Sequence, residues 1–172
     1  MTLLEAPNKV RLNHMGPIEQ CLSPLVKATL NAYWTLTQEM NGSIRSFQVD
    51  AMPISLNHQY EGTGKGKRLV KGQKEFREIL WASLPPNVRQ WKPHGVLGCV
   101  ILFMSNTWVT QEHTIRTADV DNRIKPVLDA IEIAIGIQDQ RYWAVAAHKV
   151  ASKRERTIVY LYSLGDIVSH HP

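Results

Sequence analysis

The chain has 172 residues, 44% hydrophobic and 20% charged, with 20 Lys and Arg against 15 Asp and Glu. That length suits one domain with a core of its own, and no apolar run approaches the roughly 20 residues of a membrane-crossing helix, so no membrane role is expected. The net charge of +5 and a pI near 9.3 favour a polyanionic partner.

The opening MTLLEAPNKVRLNH lacks the basic start and long apolar stretch of a secretory signal, which makes the cytoplasm the expected location. Cys21 and Cys99 are isolated, with neither C-x-x-C spacing nor a disulfide framework, in keeping with a reducing compartment and with two small core residues. In LSPLVKATLNAYWTLTQEMNG, Ser23 can cap, Pro24 suits the first helical position, and Val26, Leu30, Tyr33, Trp34 and Met40 form a helical stripe that Asn41-Gly42 ends. Residues 43–52 alternate as a strand does, and PISLNHQYEGTGKGKR after them is rich in loop formers. VKGQKEFREILWASL reads as a helix with Phe76, Ile79, Leu80 and Leu84 inward and Lys74 and Arg77 outward, stopped by Pro85-Pro86.

HGVLGCVILFMSNTW has the unbroken apolar character of a buried strand. DNRIKPVLDAIEIAIGI is the strongest helix, with Ile124, Val127, Leu128, Ile131 and Ile135 on one face and Gly136 closing it. YWAVAAHKVASKRERTIVYLYSL reads as two strands paired in a hairpin across a basic turn. The order α-β-α-β-α-β-β implies an α+β fold, a mixed sheet with helices packed on it. The five tryptophans are scattered and read as core, and the final SHHP as a frayed end.

Chemistry concentrates in TADVDNRIKPVLDA, residues 117–130. One of Asp119, Asp121 and Asn122 is explained by capping the helix that follows. A second carboxylate two residues away repels the first unless a cation lies between them, and an all-oxygen site of this kind suits Mg²⁺ or Mn²⁺. An EF-hand is excluded, because Arg123 and Ala130 stand where that loop needs ligands.

Lys125 lies one turn from the carboxylates, in reach of a phosphate they would hold, and Asp129 and Glu132 continue a polar stripe that also reads as a solvated face with a helical ion pair. Pro126 forbids one helix hydrogen bond outside the first turn, which places the helix start near Arg123. Asp139 in GIQDQRYW reads either as a turn residue or as a third metal ligand. A straight helix of about 14 residues would hold it roughly 20 Å from Asp119. In an antiparallel, isologous dimer it would instead meet the partner's carboxylates.

Two basic groups flank this acidic middle: Lys65, Lys67, Arg68, Lys71, Lys74 and Arg77 before it, and Lys149, Lys153, Arg154 and Arg156 after it. They suit sequence-independent contact with a nucleic-acid backbone, or form two solvated surface clusters. GTGKGK is not a phosphate loop, since no Ser or Thr follows a Gly-Lys at the required spacing.

DVDNRIKPVLDAI, then GIQDQ, then HKV, with MPISLNHQYEGTGKGKRLVKGQKEF upstream, resemble in order and spacing the RusA family of Holliday junction resolvases. The likeness runs from about Ser46 to Ser163. It divides the chain into residues 1–45, an extension with one helix, a RusA-like nuclease domain at 46–163, and a tail at 164–172. It implies that Asp119, Asp121 and Asp139 are catalytic aspartates binding Mg²⁺ or Mn²⁺ and that Lys125 is the essential lysine. It also implies a homodimer that binds four-way DNA junctions and cuts them symmetrically in recombination and repair. The sequence departs from the family in having Gln138 before Asp139, where paired aspartates are common, and in its first 45 or so residues. The competing expectation is a catalytically inactive junction-binding protein, for which the basic groups suffice and the aspartates merely cap.

Overall fold

Nine consecutive residues, Leu97–Ser105, are all buried, and the other described elements are arranged around them. The computed structural model describes residues 22–39, 41–58, 60–63, 66–109 and 120–164. Its elements are α1 (Pro24–Glu39), β1 (Ser43–Val49), β2 (Tyr60–Thr63), β3 (Gly66–Leu69), α2 (Lys71–Ser83), α3 (Pro86–Arg89), β4 (Leu97–Ser105), α4 (Asp121–Ile135), β5 (Tyr142–Ala151) and β6 (Arg156–Ser163). The expected α+β class with a mixed sheet is observed. The four main strands run in the order β1-β6-β4-β5, and β2 and β3 form a separate hairpin. Among the described residues no helix is long and apolar enough to cross a membrane.

β4 lies antiparallel to β6 and parallel to β5, so it needs apolar side chains on both faces, which its unbroken hydrophobic run supplies. Successive strand residues point to opposite faces. Cys99, Ile101 and Phe103, with Val159 and Leu161 of β6, meet Phe76, Leu80, Val127 and Ile131 of α2 and α4. Val100, Leu102 and Met104, with Ile158, Tyr160 and Tyr162, meet Val26 and Leu30 of α1. The sheet is therefore the middle of three layers, and α1 shares its core.

The N-terminus of α1 is as expected, with the Val26 amide donating to Ser23 Oγ at 3.4 Å. Asn41 turns the chain with φ 50°, and Gly42 brings it against the Ser163 carbonyl, where a Cβ would lie 1.9 Å from that oxygen. No other residue fits there, and β1 then pairs with β6 from Ser43 opposite Ser163. Met40, Cys21 and the C-terminal SHHP lie outside the described residues.

Four expectations need correction. β5 and β6 are not a hairpin: β4 lies between them, and the turn at 152–155 passes around its end, the Ser152 amide donating to the Ser105 carbonyl at 3.1 Å. The loop-rich stretch after β1 contains the β2–β3 hairpin, whose register sets Tyr60 opposite Leu69. Ile79 is 39% exposed, since the inward stripe of α2 is Gln73, Phe76, Leu80 and then Leu84. Trp91 and Trp108 are core, but Trp81 and Trp143 are 50% and 75% exposed.

Candidate active site

β1, β4 and β5 run parallel to one another, so their C-terminal ends lie at one end of the sheet together with the 152–155 turn. Open sheets with parallel strands characteristically place ligand sites beyond those ends. The N-terminus of α4 is tied to this end. Arg123 donates from Nη1 to the Pro53 carbonyl after β1, and its guanidinium lies 5.7 Å from the centroid of Trp108 after β4. Trp108 is itself fixed by Nε1 donating to the Phe103 carbonyl at 2.7 Å. Burial pulls the Arg123 pKa down, and Glu155 in the nearby turn opposes that shift.

α4 begins at Asp121, two residues before the expected start, and Pro126 falls inside it. Its N-cap is Val120, in helical conformation and with no side-chain cap bond. Neither Asp121 nor Asn122 is therefore the capping residue. Asp121 occupies the first helical position with its side chain exposed, where the positive end of the helix dipole favours a carboxylate. Asp119 lies outside the described residues.

Gln73 holds α4 from the other side. It is fully buried, accepts the Ile54 amide on Oε1 at 3.2 Å, and donates from Nε2 to the Pro126 carbonyl at 3.2 Å. α2, α4 and the segment after β1 are thus joined by one side chain. Neither Gln73 nor Arg123 was singled out as functional from sequence. The available signal was Gln73's place three residues before Phe76 on the inward stripe, a polar residue where an apolar one is expected.

Gly136 ends α4 in the left-handed region, φ 73°, with its amide donating to the Glu132 carbonyl at 2.8 Å. Ile137, 2% exposed, then draws the chain back onto the core. Asp139 thereby returns along the helix to Lys125, whose Nζ donates to Asp139 Oδ2 and lies 2.8 Å from Asp129 Oδ1. The segment after the helix is thus folded back on its own chain rather than left a helix length from Lys125, while Asp119, from which the expected separation was reckoned, lies outside the described residues.

Asp129, foremost, and Asp139 raise the Lys125 pKa and keep the amine charged. The Lys125 ammonium in turn holds Asp139 below its ordinary carboxylate value. Asp121, four residues before Lys125, stands about 6 Å away in helix rise. Among the described residues no group of three His, Cys, Asp or Glu side chains is arranged to hold a metal ion. The donor chemistry nonetheless suits a hard divalent cation. Asp121 is an exposed carboxylate, and a carboxylate has lone pairs enough that Lys125 and the Gln140 amide do not exhaust Asp139.

The basic residues divide. Arg68 is paired with Glu61 at 2.6 Å and Lys71 with Glu75 at 3.6 Å, both pairs exposed, and Lys74 is exposed on α2. Lys153 and Arg154 are exposed in the turn at the site end of the sheet. Arg156 is half-buried and donates from Nη1 to Gln48 Oε1 at 3.2 Å, a bond that joins β6 to β1. Arg77 is half-buried, and Lys149 lies over Trp108 at 5.4 Å. Lys65 and the side chain of Lys67 lie outside the described residues. No family model matches the chain, and no curated protein matches it.

Proposed function

We propose that this protein is a Mg²⁺- or Mn²⁺-dependent endodeoxyribonuclease that acts on branched DNA, four-way junctions above all, as a homodimer in the cytoplasm, in keeping with its resemblance to the RusA resolvases. The observation that carries the reading is the contact between Asp139 and Lys125. A carboxylate 14 residues along the chain is brought back to the one lysine that lies a turn from Asp121.

Asp119, Asp121 and Asp139 would hold the divalent ion, which when bound supplies Lewis-acid activation of the phosphate and of water. Lys125, held protonated by its two carboxylates, presents a fixed positive charge to the phosphate as negative charge builds on it in the transition state. Arg123 and Gln73 set the position and rotation of the α4 N-terminus on which Asp121 and Lys125 stand. Lys71 and Lys74 on one side and Lys153 and Arg154 on the other would grip the DNA backbone without reading its sequence, so binding should weaken steeply with salt.

The test is incubation with a synthetic four-way junction and Mg²⁺ or Mn²⁺, comparing the wild type with Asp121→Asn. Paired nicks made by the wild type and abolished by the substitution, with junction binding retained, support the reading. A wild-type protein that binds the junction and leaves it whole is instead the catalytically inactive junction-binding protein.

A further inference from the structure

The sheet has two outer strands, and they are guarded differently. β1 is seven residues long and carries Arg45, whose side chain donates to the Ile44 carbonyl at 2.7 Å and the Asn87 carbonyl at 3.3 Å. A short, charged strand is a normal defence of a sheet edge. β5 is ten residues long, has no proline, and carries no charged side chain from Tyr142 to Ala147. Trp143 is 75% exposed and Val145 37%, and Ala144 between them is exposed as well, so the strand is uncovered from Trp143 to Val145. Trp143 is also the residue skipped where the register with β4 shifts.

We propose that a second copy of this chain docks on β5, strand against strand and antiparallel, joining two four-stranded sheets into one. The strand is complementary to itself. Pairing about Val145 sets Trp143 opposite Ala147, large against small, and Ala144 opposite Ala146, with no like charges facing one another across that stretch. Beyond it Arg141 would face Lys149, and both are already turned elsewhere: Arg141 donates to the Pro93 carbonyl at 3.2 Å, and Lys149 lies over Trp108. A chain of net charge +5 meets its copy with least repulsion at an uncharged strip, whereas a charged peptide finds no counter-charge there. This inference deepens the two-subunit part of the proposed function, and its test reads mass rather than cleavage, so either can fail without the other.

Sedimentation velocity of the full chain over a wide concentration range should give a species of twice the 19.6 kDa chain mass. Val145→Lys, which brings two lysines together at the symmetry axis, should weaken dimerisation at least about 100-fold. Trp143→Ser should weaken it less, and Arg45→Ala at the other edge should leave it unchanged. The amides of 143–147 that point away from β4 should exchange slowly in the wild type and quickly in Val145→Lys, with circular dichroism reporting that each variant is folded. A dimer that survives Val145→Lys overturns the proposal. So does a monomer at every concentration, and protection in that monomer of the β5 amides that point away from β4 would mean that the edge is covered by the chain itself.

Discussion

The face of the sheet beneath α2 and α4 and the face beneath α1 are built from alternate residues of the same strands, yet they treat polar groups differently. Beneath α2 and α4, Gln73 is bonded at both ends of its amide, Trp108 donates its indole N–H, and Arg123 ties α4 to the segment after β1. The exceptions on that side are the Tyr142 hydroxyl and Arg77 Nε. On the α1 face the Tyr162 hydroxyl, His148 Nε2 and, on the helix itself, Trp34 Nε1 are buried without a hydrogen-bond partner among the described residues. Apolar contact can seat a helix in many nearby rotations, whereas directional bonds to fixed partners select one. On the face that carries the candidate site such bonds hold the helices, whereas on the α1 face the Arg156 to Gln48 bond joins two strands and leaves the helix to apolar contact.

The largest effect that would break this comparison lies at Lys125. Replacing Lys125 with Ala removes the charge that would meet the phosphate in the transition state and should lower turnover by about 100-fold or more, with junction affinity nearly unchanged. Single-turnover cleavage beside a binding titration separates the two. Loss of affinity with turnover intact would make Lys125 one more backbone contact and take away the site face's claim to chemistry.

The two faces also differed in how legible they were. β4 and α4 could be read from sequence because their signals are local, a nine-residue apolar run and a stripe with helical period. α1 was legible for the same reason, down to its Ser23 cap and Asn41-Gly42 end. The pairing of the last two strands was not, since adjacency in sequence favours a hairpin while the more apolar β4 competes for both and lies between them. The β2–β3 hairpin was hidden by glycines and lysines that usually mark loops. Lys125 is on the helix expected for it and Asp121, expected just ahead of the helix, is its first residue, but Asp139's return to Lys125 depends on the left-handed turn at Gly136 and the burial of Ile137 together. Gln73 was missed because its value lies in two partners 19 and 53 residues away.

A paired substitution sharpens the contrast in stability. Gln73→Met keeps the size of the side chain and leaves the Ile54 amide and the Pro126 carbonyl without it, which should cost about 1–3 kcal/mol. Tyr162→Phe removes a buried hydroxyl with no hydrogen-bond partner among the described residues and should be neutral or stabilise by up to about 1 kcal/mol. Urea denaturation of both variants measures the difference. Equal losses would show that the polar bonds under α2 and α4 matter no more than the unbonded groups under α1.

The smallest expected effect separates the faces by pH. Burial lowers the His148 pKa below its ordinary 6.5, so as pH falls past that value the unfolded chain takes up a proton that the folded one resists. Stability is then lost progressively from about pH 6.5 downward and is unaffected above it. On the site face the sign is the same but the window is lower. Lys125 holds Asp139 below 3.8, so its contribution is complete above that pH and disappears as pH falls through the folded value. His148→Phe should therefore flatten the stability curve just below pH 6.5 and leave the acid limb in place, while Asp139→Asn should do the reverse. If both variants bend the same limb, the two faces are not titrating independently, and the division between a bonded face and a merely covered one fails for their charged groups.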